Sequence, residues 1–278
     1  MDIRPSDLPD FESPPVHEVV LGIQFGTLSK FKTFHSGLLV KQFSEYPNVS
    51  ENPELQPSFE TFGNTANVPR TPTISISQGS GVPRYWMESQ DRCDLIQFQQ
   101  DRFICNWRKL NDFHVYPRYK SLKEKFVLSL STLQDFLNDQ DLGVVKPNQC
   151  EVSYINSIVL PDDSDPRPQM ARIFKFWAND YKDTAGRDIE DGVIKFRYHL
   201  FGESNEPYAR LYVSIQPGLV RETGKPVIQM NLTVKGRPDS PSLPDTLKFM
   251  DLGRNAIVRA FTSLTRPEMH SYWGIKNV

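Results

Sequence analysis

Cysteine and histidine are scarce in this sequence. Its 278 residues include 3 cysteines and 5 histidines, and none of the cysteines forms a CxxC pair. A low, odd cysteine count is not typical of a secreted domain held by disulfides. A zinc site would need His or Cys partners at short spacing, and none occurs. We therefore predict a reducing, cytoplasmic location and no metal site.

Long apolar runs and familiar catalytic motifs are missing as well. No stretch approaches the roughly 18 consecutive apolar residues that span a bilayer. The acidic, proline-rich segment MDIRPSDLPDFESPP has no apolar core like that of a signal peptide. The patterns GxGxxG, GxxxxGKS/T, HExxH and GxSxG do not occur. We expect no membrane association, no cofactor and no motif-borne catalytic residue, so an enzyme with an unfamiliar active site is the least favoured hypothesis.

Charge of one sign is also lacking. Lys and Arg number 32 against 34 Asp and Glu, which gives a formal net charge of -2. This balance argues against general attraction to nucleic acid or anionic membranes but leaves room for a local basic patch. The 38% hydrophobic content is ample for a core, at a length where chains tend to divide into two lobes.

Strand and helix patterns follow one another in the same order twice. Residues 1–146 predict a strand in PPVHEVVLGIQFG, a short helix at 29–43, the strands RYWMES, DLIQFQ and FICNWR, and a long helix at 117–138. Between the short helix and RYWMES, residues 47–83 are rich in Pro, Asn and Ser. They predict a long surface loop with one strand at 73–77.

Residues 147–278 repeat the order. They predict a strand at 150–160, a short helix at 169–181, the strands VIKFRYHLF, YARLYVSIQ and VIQMNLTVKG, and a long helix at 243–264. The fold class is α+β, with two similar halves that each read strand, short helix, antiparallel strands, long helix. That order resembles the duplicated sheet of TATA-binding proteins and the helix-grip folds, a likeness of fold that carries no function.

Three stretches carry a family resemblance: PPVHEVVLGIQF, LIQFQQDRFICNWRK and FTSLTRPEMHSYWG. Together they resemble a sporadically distributed family of uncharacterised bacterial proteins, over most of the chain. The resemblance implies no site residue, because no activity is established for that family. Patchy distribution is typical of accessory genes, so it implies a link to phage defence or toxin–antitoxin systems.

Two groups of residues are candidates for binding. Over residues 193–235, polar side chains alternate with the buried ones, and six Lys and Arg stand against three Asp and Glu. The candidates on this polar sheet face are Lys195, Arg197, His199, Arg210, Tyr212 and Asn231. Such a face can bind phosphates or an acidic protein surface, or can simply be the wet side of an antiparallel sheet. Glu268, His270 and Trp273 form either a recognition corner or a helix stop whose tryptophan packs on the core.

These observations favour a non-enzymatic interaction protein of a bacterial accessory system, which binds a protein partner or a small ligand. The alternative is nucleic-acid binding through the basic sheet face. It predicts an affinity that falls steeply with salt and depends on Arg197 and Arg210. The sequence does not determine the oligomeric state.

Overall fold

One antiparallel sheet dominates the computed structural model, which describes residues 7–63, 82–111, 113–177, 184–187, 190–202, 204–220 and 223–276. Within them, nine strands pair in the order β3-β4-β5-β6-β2-β7-β10-β9-β8. The strands are β2 (Val16–Phe25), β3 (Asn48–Asn52), β4 (Arg84–Glu88), β5 (Asp94–Gln99), β6 (Arg102–Arg108), β7 (Pro147–Ile158), β8 (Ile194–Phe201), β9 (Pro207–Leu219) and β10 (Pro226–Gly236). The short strands β1 (Asp10–Phe11) and β11 (Ile275–Lys276) pair separately.

The helices are α1 (Ser36–Gln42), α2 (Arg118–Asp139), α3 (Met170–Ile173), α4 (Leu243–Leu264) and α5 (Pro267–Tyr272). In each half the first strand pairs with the last one, β2 with β6 and β7 with β10. The two halves join where β2 pairs with β7. The predicted α+β class with an antiparallel sheet is thus confirmed. An origin by duplication, and the likeness to TATA-binding proteins or helix-grip folds, stay predictions.

Alternation along the strands separates the two faces of the sheet. On β10, Ile228, Met230, Leu232 and Val234 are all fully buried on the face that packs against the helices, which we call the helix face. Burying one such side chain contributes roughly 1.5–3 kcal/mol. The opposite, open face carries the polar residues between them.

Both long helices lie on the helix face. Helix α2 buries the predicted stripe of Leu122, Phe126, Leu130, Leu133 and Leu137. Helix α4 has the predicted bounds, because the Ser242 side chain accepts a hydrogen bond from the Asp245 N–H and caps its start. Gly253 lets α4 approach the sheet closely, since a Cβ there would lie 3.3 Å from Val152.

The two short helices are shorter than predicted. Before α1 the chain makes a 3-10 turn at Thr33–His35, and the Phe31 carbonyl accepts a hydrogen bond from Gln100 Nε2 at 2.6 Å instead of starting a helix at residue 29. Helix α3 ends at Ile173 because Phe174 turns extended and bridges to Thr265. The predicted continuation at 178–181 lies outside the described residues.

The prediction of a long surface loop at 47–83 is partly wrong. Residues Asn48–Asn52 form the edge strand β3, which pairs with β4 through its backbone although its side chains do not alternate. Residues 53–63, which we call the crossing segment, lie over the open face and hydrogen-bond to it. The predicted strand at 73–77 lies outside the described residues. No described helix combines the length and the hydrophobicity needed to cross a membrane.

Candidate functional site

A cavity of about 350 Å³ lies between the start of α2, the middle of α4 and the centre of the sheet. We call it the interhelical cavity. Its apolar wall comes from Leu232, Ile257, Val258 and Phe261, and Phe11 of β1 closes one side. A concave, largely apolar space of this size with a few polar groups is typical of small-molecule sites.

A pair of tyrosines supplies polar groups to this cavity. The hydroxyls of Tyr116 and Tyr154 lie 3.0 Å apart, and the rings meet edge to face. Burial raises the pKa of Tyr154, and burial beside Tyr154 raises the pKa of Tyr116 well above its usual value. Both hydroxyls therefore stay protonated at neutral pH; one hydrogen joins the pair, and the other can be donated to a ligand.

Positive charge collects around the same space. Arg254 of α4 stacks over the Tyr119 ring at 5.5 Å, and its charge lies near the Tyr154 hydroxyl, where it opposes the larger effect of burial on the pKa of Tyr154. Among the described residues Arg254 has no carboxylate within ion-pair distance, and its guanidinium donates a hydrogen bond to the Asn255 side chain at 3.1 Å. Its guanidinium can therefore attract an anion into the cavity.

Two other cations of the cavity are partly neutralised by Asp10. Asp10 lies 3.6 Å from Arg118 and 3.9 Å from Lys276. Arg118 also donates to the carbonyls of Phe11 and Glu12 and so ties the amino-terminal segment over the cavity. The backbone of Arg118 has a φ of 72°, a left-handed conformation that non-glycine residues rarely adopt.

The carboxy-terminal candidates do not line this cavity, but Trp273 lies behind one of its walls. Trp273 is buried and packs against Phe11 and Phe261, both of which line the space. His270 is buried beside the Thr265 hydroxyl at 2.8 Å, and burial lowers its pKa. Glu268 is exposed in the first turn of α5. His270 and Trp273 thus have structural contacts, while a binding role for the three residues stays a prediction.

The sheet-face candidates divide into an exposed and a covered group. Lys195, Arg197 and His199 are exposed on the edge strand β8. Tyr212 and Asn231 are half-buried on the same open face, and Arg197 lies over the Tyr212 ring at 5.7 Å. The structure therefore brings these residues together on one face, as the alternation predicted.

Arg210 is in the covered group. Its side chain is 2% exposed and pairs with the Glu60 carboxylate, which is 5% exposed and accepts a second hydrogen bond from the Tyr212 hydroxyl at 2.7 Å. Glu60 belongs to the crossing segment, so the charge of Arg210 is compensated within the chain. This corrects the picture of a uniformly free basic face, because local alternation does not report what another segment lays over a strand.

Sequence reasoning missed the polar residues of the interhelical cavity. Arg254 could have been found from the sequence, because it falls between Met250 and Ile257 on the apolar stripe of α4. A charged residue on the buried stripe of a helix is unusual and indicates a specific contact. Tyr116 and Tyr154 left no such signal, since each has the pattern of an ordinary core aromatic.

Asp91, Cys93 and His114 come together although the sequence predicts no metal site, and their ligand atoms lie within 4.8 Å of one another. The Asp91 carboxylate accepts from the Ser89 hydroxyl and the Cys93 N–H, as in a turn. Burial raises the pKa of the Cys93 thiol to about 11, which disfavours the thiolate that metals bind. Asp91 and Cys93 are explained by the turn between β4 and β5, and His114, which follows β6, lies 3.8 Å from the Asp91 carboxylate.

No protein-family model matches the chain, and no curated protein is significantly similar to it. The resemblance to a sporadically distributed bacterial family therefore stays a prediction.

Proposed function

We propose that the protein is a non-enzymatic binding protein whose interhelical cavity takes a small ligand with an anionic group and an apolar body. The observation that carries this proposal is Arg254, which faces the cavity without a described carboxylate partner beside the paired hydroxyls of Tyr116 and Tyr154. An anion placed there would receive charge-assisted hydrogen bonds from Arg254. Its apolar body would lie against Ile257 and Phe261.

The chemistry of the lining supports binding over catalysis. Among the described residues that line the cavity there is no His and no Cys, and their single carboxylate, that of Asp10, lies between Arg118 and Lys276. The raised pKa values of both tyrosines keep their hydroxyls neutral, so neither serves as a base at neutral pH.

The probe for this site is 8-anilinonaphthalene-1-sulfonate, an aromatic sulfonate whose fluorescence rises in apolar surroundings. We expect saturable binding at one site. Arg254→Gln should weaken it about tenfold or more, because a hydrogen bond to a charged group contributes about 1.5–3 kcal/mol. Val258→Trp should abolish binding by filling the cavity.

The matched control is Arg259→Gln on the same helix, because Arg259 is half exposed and pairs with Asp7 at the surface. It should bind the probe like the wild type. Circular dichroism and thermal melting establish that each variant is folded. Equal probe affinity in folded Arg254→Gln and wild type would refute the proposal.

Nucleic-acid binding through the open face is the second candidate, favoured by the exposed row of Lys195, Arg197 and His199. Because Glu60 compensates Arg210, we expect only weak, strongly salt-dependent affinity for a labelled oligonucleotide. Arg197→Gln should lower it and flatten the salt dependence. An affinity that ignores salt would count against this candidate.

A protein partner from a bacterial accessory system and a cytoplasmic location belong to the proposal and rest on the sequence alone. The test is a pull-down of tagged full-length chain from its native cells, with and without nuclease. A stoichiometric protein that survives nuclease treatment supports the partner, whereas recovery of nuclease-sensitive nucleic acid alone contradicts it.

A further inference from the structure

A row of polar side chains crosses the open face from the first half to the second. Gln99 of β5, Arg102 of β6, Gln24 of β2 and Gln149 of β7 are successive cross-strand partners. Arg210 of β9 lies on the adjacent row of the same face, where Arg210 pairs with Lys235 of β10 and Lys235 pairs with Glu151 of β7. We call these five residues the sheet groove, and the crossing segment lies along it.

The groove holds the crossing segment mainly by its backbone. The side-chain amide of Gln99 makes two hydrogen bonds to the Leu55 backbone. It accepts from the Leu55 N–H at 2.8 Å and donates to the Leu55 carbonyl at 2.9 Å. Gln24 accepts from the Ser58 N–H at 3.0 Å, and Gln149 accepts from the Glu60 N–H at 3.3 Å.

The two arginines of the groove complete these backbone contacts. Arg102 donates to the Gln56 carbonyl at 3.0 Å, and Arg210 donates to the Thr61 carbonyl at 3.1 Å. Backbone groups are common to every polypeptide, so most of these contacts do not depend on the sequence of the bound segment.

One side chain adds specificity. The Glu60 carboxylate lies between the Arg210 guanidinium and the Tyr212 hydroxyl, the most deeply buried ion pair among the described residues. Arg210 also stacks over the Phe62 ring at 5.0 Å. The groove therefore accepts an extended chain with a carboxylate at one defined position.

The crossing segment buries few apolar side chains of its own. Apart from the Glu60 side chain, residues 53–63 are half-buried or exposed, and Phe59 is 52% exposed. A void of about 30 Å³ remains beneath Ser58. Few buried apolar contacts mark a segment as one of low local stability. Another chain that makes the same polar contacts can therefore exchange with it.

We propose that the sheet groove is a docking site for an extended, acidic segment of a partner protein, and that residues 53–63 occupy it until the partner binds. We infer the occupant from the contacts that the groove makes with residues 53–63, which are hydrogen bonds to an extended backbone and an ion pair with one carboxylate. The site is separate from the interhelical cavity on the helix face.

The test uses the labelled peptide PELQPSFETFG, which has the sequence of residues 53–63, and the full chain, with binding measured by fluorescence anisotropy. Glu60→Gln removes the anchor of the competing segment but keeps Arg210 in the groove. We expect this variant to bind the peptide about tenfold or more tightly than the wild type, because the competent open state becomes more populated. The control Glu51→Gln, an exposed residue of β3, should bind like the wild type.

Two altered peptides separate the anchor from the backbone contacts. Replacing the second glutamate, PELQPSFQTFG, should weaken binding to the Glu60→Gln protein about tenfold or more, since the charged hydrogen bonds to Arg210 are lost. The peptide PEAAPAAETFG keeps the anchor and the backbone and should bind within about threefold of the parent peptide.

Circular dichroism checks folding of each variant. If Glu60→Gln fails to fold, Glu60→Asp replaces it, because it keeps the charge and shortens the anchor. Absence of peptide binding to a folded variant of Glu60 overturns the proposal, as does equal affinity for the peptide without the glutamate. A large loss of affinity with the peptide PEAAPAAETFG would overturn the inference that the groove binds mainly the peptide backbone.

Discussion

The tyrosine pair of the interhelical cavity offers a stability test of the site. Tyr116→Phe and Tyr154→Phe each remove one hydroxyl of a pair whose oxygens lie 3.0 Å apart, and the double variant removes both. Phenylalanine keeps the ring packing, so the measured change reports the hydroxyls. Tyr272, which is 46% exposed, provides the control Tyr272→Phe.

Each single variant leaves a buried hydroxyl with one partner fewer, which costs about 1–3 kcal/mol. Tyr154→Phe should cost more than Tyr116→Phe, because the Tyr154 hydroxyl also lies close to the charge of Arg254. In the double variant no hydroxyl is left unpaired. Its loss should therefore be smaller than the sum of the single losses by about 1 kcal/mol.

The assay is urea unfolding of the four proteins and the control, followed by circular dichroism. If the losses add within about 0.3 kcal/mol, the two hydroxyls do not interact and the reasoning is refuted. The control should change the free energy of unfolding by less than about 0.5 kcal/mol.

The pH dependence gives a second measurement on the same variants. Burial raises the pKa of both tyrosines, so above about pH 10 the unfolded chain loses protons that the folded chain keeps. The free energy of unfolding should therefore fall as pH rises above that value. The double variant should lose part of this slope, and an unchanged slope would contradict the assignment.

Two further predictions concern the sheet. Burial raises the pKa of Glu18 above its ordinary 4.5, so its carboxylate form destabilises the fold at neutral pH. Glu18→Gln keeps the hydrogen-bond acceptor for Asn106 and should raise the free energy of unfolding by about 0.5–1 kcal/mol at neutral pH. In urea unfolding this gain should vanish below pH 4.5, where the wild-type carboxyl is protonated. A variant that is less stable than the wild type at neutral pH would contradict the prediction. Gly236→Ala should destabilise by about 1–3 kcal/mol, since its Cβ would lie 2.5 Å from the Tyr208 carbonyl. Gly37→Ala, with nothing within 4 Å, should instead be neutral or stabilising in the same assay, and equal effects of both substitutions would refute the steric argument.

Much of the fold could be predicted because burial leaves a local record. The strands β8, β9 and β10 and the helices α2 and α4 lie within a few residues of their predicted bounds. Each has one continuous apolar side, so its period alone identifies it. Strand β3 could not be predicted, because an edge strand held by backbone hydrogen bonds leaves no such period.

The candidate site was less accessible to sequence reasoning. The polar face of the second half was predicted from alternation. Its covering by Glu60 was not, because Glu60 and its partner Arg210 lie 150 positions apart in the chain. The charge of Arg254 on an apolar stripe was a readable signal. The pairing of Tyr116 with Tyr154 depends on how α2 is seated on the sheet.

The sequence by itself determined the α+β class, the wet and dry sides of the strands, and the apolar stripes of both long helices. These follow from the solvation of each side chain along its own element, which is a local property. Only the tertiary structure decided that a polar segment lies over the open face and that Arg254 meets a tyrosine pair across a cavity. Both depend on contacts between residues far apart in the chain, which periodicity does not encode.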